Sequence, residues 1–201
     1  MRSRFMSIMT VDDHRAAASD LATVHRAVDE FEHDHSKTFE VGPHLEPAAT
    51  ETSGRVRRNL QRIRKALDRI QIAMQAVQAC TLPADERSEY GSKPAVTFTP
   101  TVARRRPTEV VTLADHIAAA RAMGPAEPAI DRFLDIINRR RHLPVRVMDD
   151  AIGVLHLIQI VRLEMNDLQF YTLSGRDTPR VNCWQGQSDH FDGSELSEVH
   201  Q

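Results

Sequence analysis

Apolar residues recur through the middle of the N-terminal half at alternating steps of four and three. The seven positions, called the heptad seam below, are Val56, Leu60, Ile63, Leu67, Ile70, Met74 and Val77. This is the a/d spacing of a heptad repeat, sustained over about three heptads, and it predicts a long amphipathic helix or a coiled coil. Thr52 or Ser53 is suited to cap its start, and Pro83 predicts that it ends at Leu82.

The residue types along the heptad seam favour association between chains. Leu60, Leu67 and Met74 take the a positions, and the d positions between them are β-branched. Leu at a with a β-branched residue at d shifts parallel coiled coils from dimers towards trimers or tetramers. We therefore expect a homo-oligomer, a tetramer or a trimer, with the heptad seam as its oligomerisation element. The alternative is an amphipathic helix that packs this side within its own chain.

The opposite side of the same helix is basic. Its stripe, called the basic face below, consists of Arg55, Arg58, Arg62, Lys65 and Arg69. A cationic stripe can follow a phosphate backbone or meet an acidic protein. The basic face therefore predicts an anionic partner, with nucleic acid as one possibility, and the alternative is a solvated helix surface.

An acidic helix is predicted to precede the basic one, from Thr10 to about Phe39. Thr10 and Asp13 have the spacing of a capping box at its start. Its apolar side contains Leu21, Val24, Val28 and Phe31, extended by Ala17 and His35. Because its remaining surface is mainly acidic, we expect it to fold back antiparallel on the basic helix or to be joined to it by a spacer.

Three further helices are predicted in the C-terminal half. Thr112 and Asp115 repeat the capping-box spacing. Gly124 and Pro125 are predicted to end the first of these helices. The last helix, about Val145 to Leu173, is apolar around much of its circumference. Such a helix needs neighbours on more than one side, so we expect it to form the core of a three-helix bundle.

These patterns predict an all-α protein with four parts. They are a helical or coiled-coil module at 1–82, a flexible proline-rich linker at 83–111, a bundle at 112–175 and a disordered tail at 176–201. Trp184 in the tail either docks on a partner or packs back on the core. The order of parts resembles the architecture of viral polymerase cofactor phosphoproteins, an analogy of arrangement without a shared motif.

Charge and composition narrow the classes of function. The formal net charge is −2, so any nucleic-acid binding must be local rather than a property of the whole chain. Two cysteines, Cys80 and Cys183, form no disulfide framework, which favours an intracellular, cytoplasmic location. No apolar run reaches the length of a membrane span, so we expect no membrane partner.

Few residues have spacings that suggest catalysis. Glu30 and His33 match the Glu-x-x-His spacing of carboxylate-bridged di-metal bundles, but no second such pair stands on the other helices. They are weak metal candidates for a metal-dependent helical enzyme. We predict no catalytic set and no cofactor. The favoured function is a non-enzymatic oligomeric scaffold or adaptor for protein partners, with a nucleic-acid-binding regulator as the main alternative.

Overall fold

The computed structural model describes residues 8–39, 47–88, 90, 111–140, 143–173 and 183–184. Across these ranges the chain is all-α, as predicted, and contains no strand. The five α-helices are α1 (Val11–Glu30), α2 (Pro47–Thr81), α3 (Leu113–Met123), α4 (Ala126–Asn138) and α5 (Val145–Leu173). Shorter helical turns are a π-helical turn at Phe31–His35 and 3-10 turns at Ser36–Phe39 and Ala84–Glu86.

Capping boxes start α1 and α3 where the sequence predicts them. The Thr10 hydroxyl accepts from the Asp13 backbone N–H at 3.2 Å, and the Asp13 carboxylate accepts from the Thr10 N–H at 2.7 Å. Thr112 and Asp115 make the same pair of bonds at 3.4 and 2.7 Å. These bonds satisfy N–H groups that have no partner inside the helix, so the residue pattern alone fixes both starts.

The start of α2 was predicted wrongly. The helix begins at Pro47 rather than after Thr52 or Ser53, and both of those residues are buried inside it. Proline is tolerated in a first turn because the N–H it lacks would have had no helical partner. The Thr52 hydroxyl accepts from Arg55 Nη2 at 2.8 Å.

The helices pair across the two halves of the chain. α2 packs along α5, and α1 packs mainly on α4. Arg55 pairs with Glu164 near one end of the α2–α5 pair and Arg69 pairs with Asp150 near the other, so the two helices run antiparallel. The expected antiparallel pairing of α1 with α2 is a minor contact by comparison.

Among the described ion pairs, those that join α2 to the α1 region lie at the C-terminal end of α1. There the Arg64 guanidinium pairs with both Asp29 and Glu32. α1 and α2 therefore meet through a local ion-pair cluster, while their apolar sides face other helices.

Helices from both predicted modules contribute to one hydrophobic core. Six of the seven heptad-seam residues are at most 4% exposed, and only Val77 is half-buried. The single chain thus covers the heptad seam by itself, which is the intramolecular alternative. An oligomer built through these residues would require α2 and α5 to separate first. Most of the predicted linker and tail lies outside the described residues.

Trp184 packs back on the core rather than standing free. It is 4% exposed, and its indole meets the Phe31 ring edge-on at a centroid distance of 6.1 Å. Arg162 donates to the Trp184 carbonyl oxygen at 3.1 and 3.3 Å and also pairs with Glu127 on α4. Arg162 therefore ties the Trp184 backbone to α4 and α5.

Candidate docking surface

One side of α5 is apolar and exposed. Four large side chains on it, called the α5 outer face below, are Ile152 (39% exposed), Ile160 (41%), Leu163 (66%) and Phe170 (68%). Their spacings of eight, three and seven residues place them on one side of a helix, with His156 and Asp167 among them. A cluster of this kind on a monomer commonly marks an interaction surface.

Within the part of the chain that the structure describes, the α5 outer face is exposed because the neighbouring helices cover other sides of α5. α2 covers one side of α5 and α4 another, and Val154, Ile158 and Val161 are fully buried between them. The sequence predicted that α5 needs neighbours on more than one side. The structure provides neighbours on the inner sides, while the outer side faces solvent.

The basic face lies beside this surface, and ion pairs neutralise both of its ends. Arg55 Nε donates to Glu164 Oε1 at 3.1 Å, and Arg69 Nε donates to both Asp150 oxygens at 3.1 and 3.2 Å. The remaining three members are exposed and lie between those pairs: Arg58, Arg62 and Lys65. The predicted basic face is therefore reduced to a central group of three cations.

Over most of the length between the two ion pairs, neither α2 nor α5 contributes an acidic residue to the described surface. α5 has none from 151 to 163, and α2 has none from 52 to 67. Gly153 lies on α5 within this segment, one turn from Asp150, and a Cβ placed on it would meet no atom within 4 Å. The central part of the α2–α5 face thus combines positive charge, exposed aliphatic side chains and open space.

Glu164 has a structural role in this arrangement. Its second oxygen, Oε2, accepts from Asn59 Nδ2 at 3.1 Å, so both oxygens are engaged by α2. These bonds anchor α5 on α2. The weak candidates Glu30 and His33 gain no further ligands, since the described residues contain no group of three His, Cys, Asp or Glu side chains arranged to hold a metal.

Two buried histidines are polar features that the sequence analysis missed. His14 is fully buried, with Nδ1 2.8 Å from the Tyr90 hydroxyl and Nε2 3.3 Å from Thr81 Oγ1. Burial lowers the pKa of His14. The burial of His14 could have been predicted from its position, because it lies three residues before Ala17 and so extends the apolar side of α1 towards the N-terminus. His14 therefore joins Tyr90 and the end of α2 to the start of α1.

His116 on α3 is the second. It is fully buried, and its Nε2 lies 2.8 Å from Thr172 Oγ1. Its ring packs against the Phe39 ring at a centroid distance of 4.7 Å. Burial lowers the pKa of His116 to about 4, so the imidazole is neutral at neutral pH. Both histidines connect elements of the core.

Comparisons with known proteins add no family to these observations. No family model matches the chain, and neither curated proteins nor solved structures gave a significant match. Among the described residues, every helix is too short or too polar to cross a membrane. The assignment of function therefore rests on the geometry of the chain itself.

Proposed function

We propose that the protein is a non-enzymatic adaptor that binds partner proteins through the α5 outer face. The observation that carries the proposal is the exposure of Leu163 and Phe170 at 66% and 68%, beside Ile152 and Ile160 on the same side of one helix. Burying such side chains against a partner removes apolar surface from water, which favours binding by roughly 25 cal/mol per Å² buried. The underlying helix is held in place by the core, so it presents a rigid surface.

This proposal moves the interface predicted from the sequence. The expected scaffold used the heptad seam, which α5 covers in the single chain. The α5 outer face needs no rearrangement to meet a partner. The coiled coil, the homo-trimer or homo-tetramer and the cytoplasmic location stay predictions, as does the analogy to viral polymerase cofactors.

Nucleic-acid binding is the second candidate, favoured by the exposure of Arg58, Arg62 and Lys65. Opposing it, Arg55 and Arg69 are paired with carboxylates, and no aromatic residue lies between positions 55 and 82 to stack on a base. Binding to generic RNA or DNA that weakens with salt and is lost on charge reversal of the three exposed cations would support it. The metal-dependent enzyme gains nothing from the geometry of Glu30 and His33.

The adaptor proposal is tested with a displayed library of amphipathic helices selected against the full chain. We expect selected helices to bind the wild-type protein and the control variant Ile8→Glu, which changes an exposed apolar residue outside α5. The double variant Leu163→Glu/Phe170→Glu should lose that binding and keep its thermal midpoint, because both side chains are largely solvated. Equal binding by the double variant would show that the α5 outer face is not the interface.

A further inference from the structure

Two different rows of side chains run next to each other on the α2–α5 face. The first, the cationic row, is Arg58, Arg62 and Lys65 on α2. The second is the central part of the α5 outer face, with Ile160 and Leu163. The ion pairs Arg55–Glu164 and Arg69–Asp150 fix an antiparallel register, so that Arg58 lies level with Ile160 and Val161, and Arg62 and Lys65 lie level with Leu157 and Val154.

The charges on this face are segregated along its length. Asp150 and Glu164 are neutralised by Arg69 and Arg55. Asp149 and Asp167 are exposed but lie towards the two ends of α5. From 151 to 163 α5 has no acid, and this segment is roughly 20 Å long at 1.5 Å per residue. The centre of the face therefore bears a net positive charge beside an apolar strip.

We propose that this face binds an acidic amphipathic helix of a partner protein, about three to four turns long. The apolar side of that helix would cover Ile160 and Leu163, and its carboxylates would face Arg58, Arg62 and Lys65. The inference rests on the proposed adaptor function and adds the chemical class of the partner. An acidic helix of this kind complements the face in both hydropathy and charge, which gives selectivity over basic or neutral helices.

A second copy of this chain is a poorer occupant of the face. If two α5 helices packed antiparallel about the acid-free segment, Asp149 of each copy would come close to Asp167 of the other. Like charges placed opposite each other oppose such a contact. The cationic row would also remain without a carboxylate partner. Charge therefore favours a different, acidic chain.

Gly153 provides a way to block the face without disturbing the core. Open space surrounds the position where its Cβ would stand, so a larger side chain there projects into the face instead of into the core. Gly153→Leu should leave the thermal midpoint unchanged or raised, because leucine has a higher helix propensity than glycine. The same change should obstruct a helix lying on the acid-free segment.

The test uses the full chain and two fluorescent helical peptides of about 18 residues. One has leucine at a and d positions and glutamate on its flanks, and the other has lysine in place of each glutamate. We expect the glutamate peptide to bind at least about tenfold more tightly than the lysine peptide, and to weaken as NaCl rises from about 0.05 to about 0.5 M. Fluorescence anisotropy measures both affinities.

Variants then assign the contacts. Arg62→Glu/Lys65→Glu should weaken the glutamate peptide by at least about tenfold, whereas the charge-conserving control Arg62→Lys/Lys65→Arg should stay within about threefold of wild type. Gly153→Leu and Leu163→Glu/Phe170→Glu should each lose the glutamate peptide while the fold is retained.

The outcomes separate the two proposals. Equal affinity for both peptides, lost only in Leu163→Glu/Phe170→Glu, overturns the acidic partner and leaves the adaptor function standing. Binding of neither peptide to the α5 outer face contradicts both. If light scattering shows a dimer that dissociates in Leu163→Glu/Phe170→Glu, a second copy occupies the face and the acidic partner is again overturned.

Discussion

At the residue scale, hydrogen bonds define the tautomer of His116. The Thr172 hydroxyl donates to the Leu168 carbonyl at 2.7 Å, so its oxygen is left to accept from His116 Nε2–H at 2.8 Å. The Nδ1 atom is then unprotonated, and it has no hydrogen-bond partner among the described residues. Protonation would create a cation inside the core beside the Phe39 ring, which explains the direction of the pKa shift.

We predict that stability falls as the pH drops from about 6.5 towards about 4. His116 has a pKa of about 4 when folded and 6.5 when unfolded, so between those values the unfolded chain binds more protons. The loss for this group is roughly 3 kcal/mol and is complete near the lower value. Burial also lowers the pKa of His14 and of His35, which adds in the same direction.

Urea unfolding at several pH values measures this dependence. His116→Leu should have a shallower slope of unfolding free energy against pH than wild type, while His156→Gln, an exposed control on α5, should match wild type. The same slope in His116→Leu and wild type would contradict the assignment to His116.

At the element scale, α5 both fills the core and carries the exposed apolar surface. Its inner side is fully buried at Val154, Ile158 and Val161, and its outer side exposes Leu163 and Phe170. Gly153 lies between these sides. A glycine inside a helix is unfavourable because the unfolded chain gains more freedom there than at any other residue.

We predict that Gly153→Ala stabilises the protein by about 0.5–1 kcal/mol. The added methyl group meets open space, so the helix becomes more stable without steric strain. Gly124→Ala should stabilise the protein less than Gly153→Ala, because a Cβ at position 124 would lie 3.3 Å from the Ala120 carbonyl oxygen. Denaturant midpoints of the two variants measure the difference, and no gain from Gly153→Ala would count against the open face.

The ends of most elements were predictable, since local chemistry sets them. Thr10 and Thr112 cap their helices, and Val145 to Leu173 is helical as expected. The start of α2 was missed because Pro47 can begin a helix as well as end one. The docking surface was only half predictable: the sequence showed the wide apolar surface of α5, but its exposure depends on how many helices pack around it.

At the scale of the whole molecule, the core is closed by pairing between distant parts of the chain. The heptad seam identified the buried side of α2 correctly, yet periodicity does not identify the helix that covers it. The opposite net charges of α1 and α2 suggested that they pair. In the structure α2 packs mainly on α5 instead. Among the described ion pairs, those that join α2 to the end of α1 all involve Arg64.

We predict opposite outcomes for the same substitution on the two apolar surfaces. Leu67→Asp places a carboxylate at a fully buried site, and the cost should exceed about 4 kcal/mol and unfold the chain. Leu163→Asp changes a side chain that is 66% exposed, so stability should change by about 0.5 kcal/mol or less.

Circular dichroism and light scattering on both variants distinguish the roles of the heptad seam. If it were an interface between folded chains, Leu67→Asp would yield folded monomers. Loss of helical signal at every concentration is the outcome expected from its burial within one chain.

The pairing of α2 with α5 also determines what happens during synthesis. The last residue of α5 leaves the ribosome about 90 residues after the end of α2, an interval of roughly 5–20 s at usual elongation rates. Until α5 has been synthesised, the heptad seam lacks the helix that contributes most of its contacts. A nascent α2 is then a surface that chaperones or a neighbouring nascent copy can bind, and Arg58, Arg62 and Lys65 on its other side oppose aggregation between such chains.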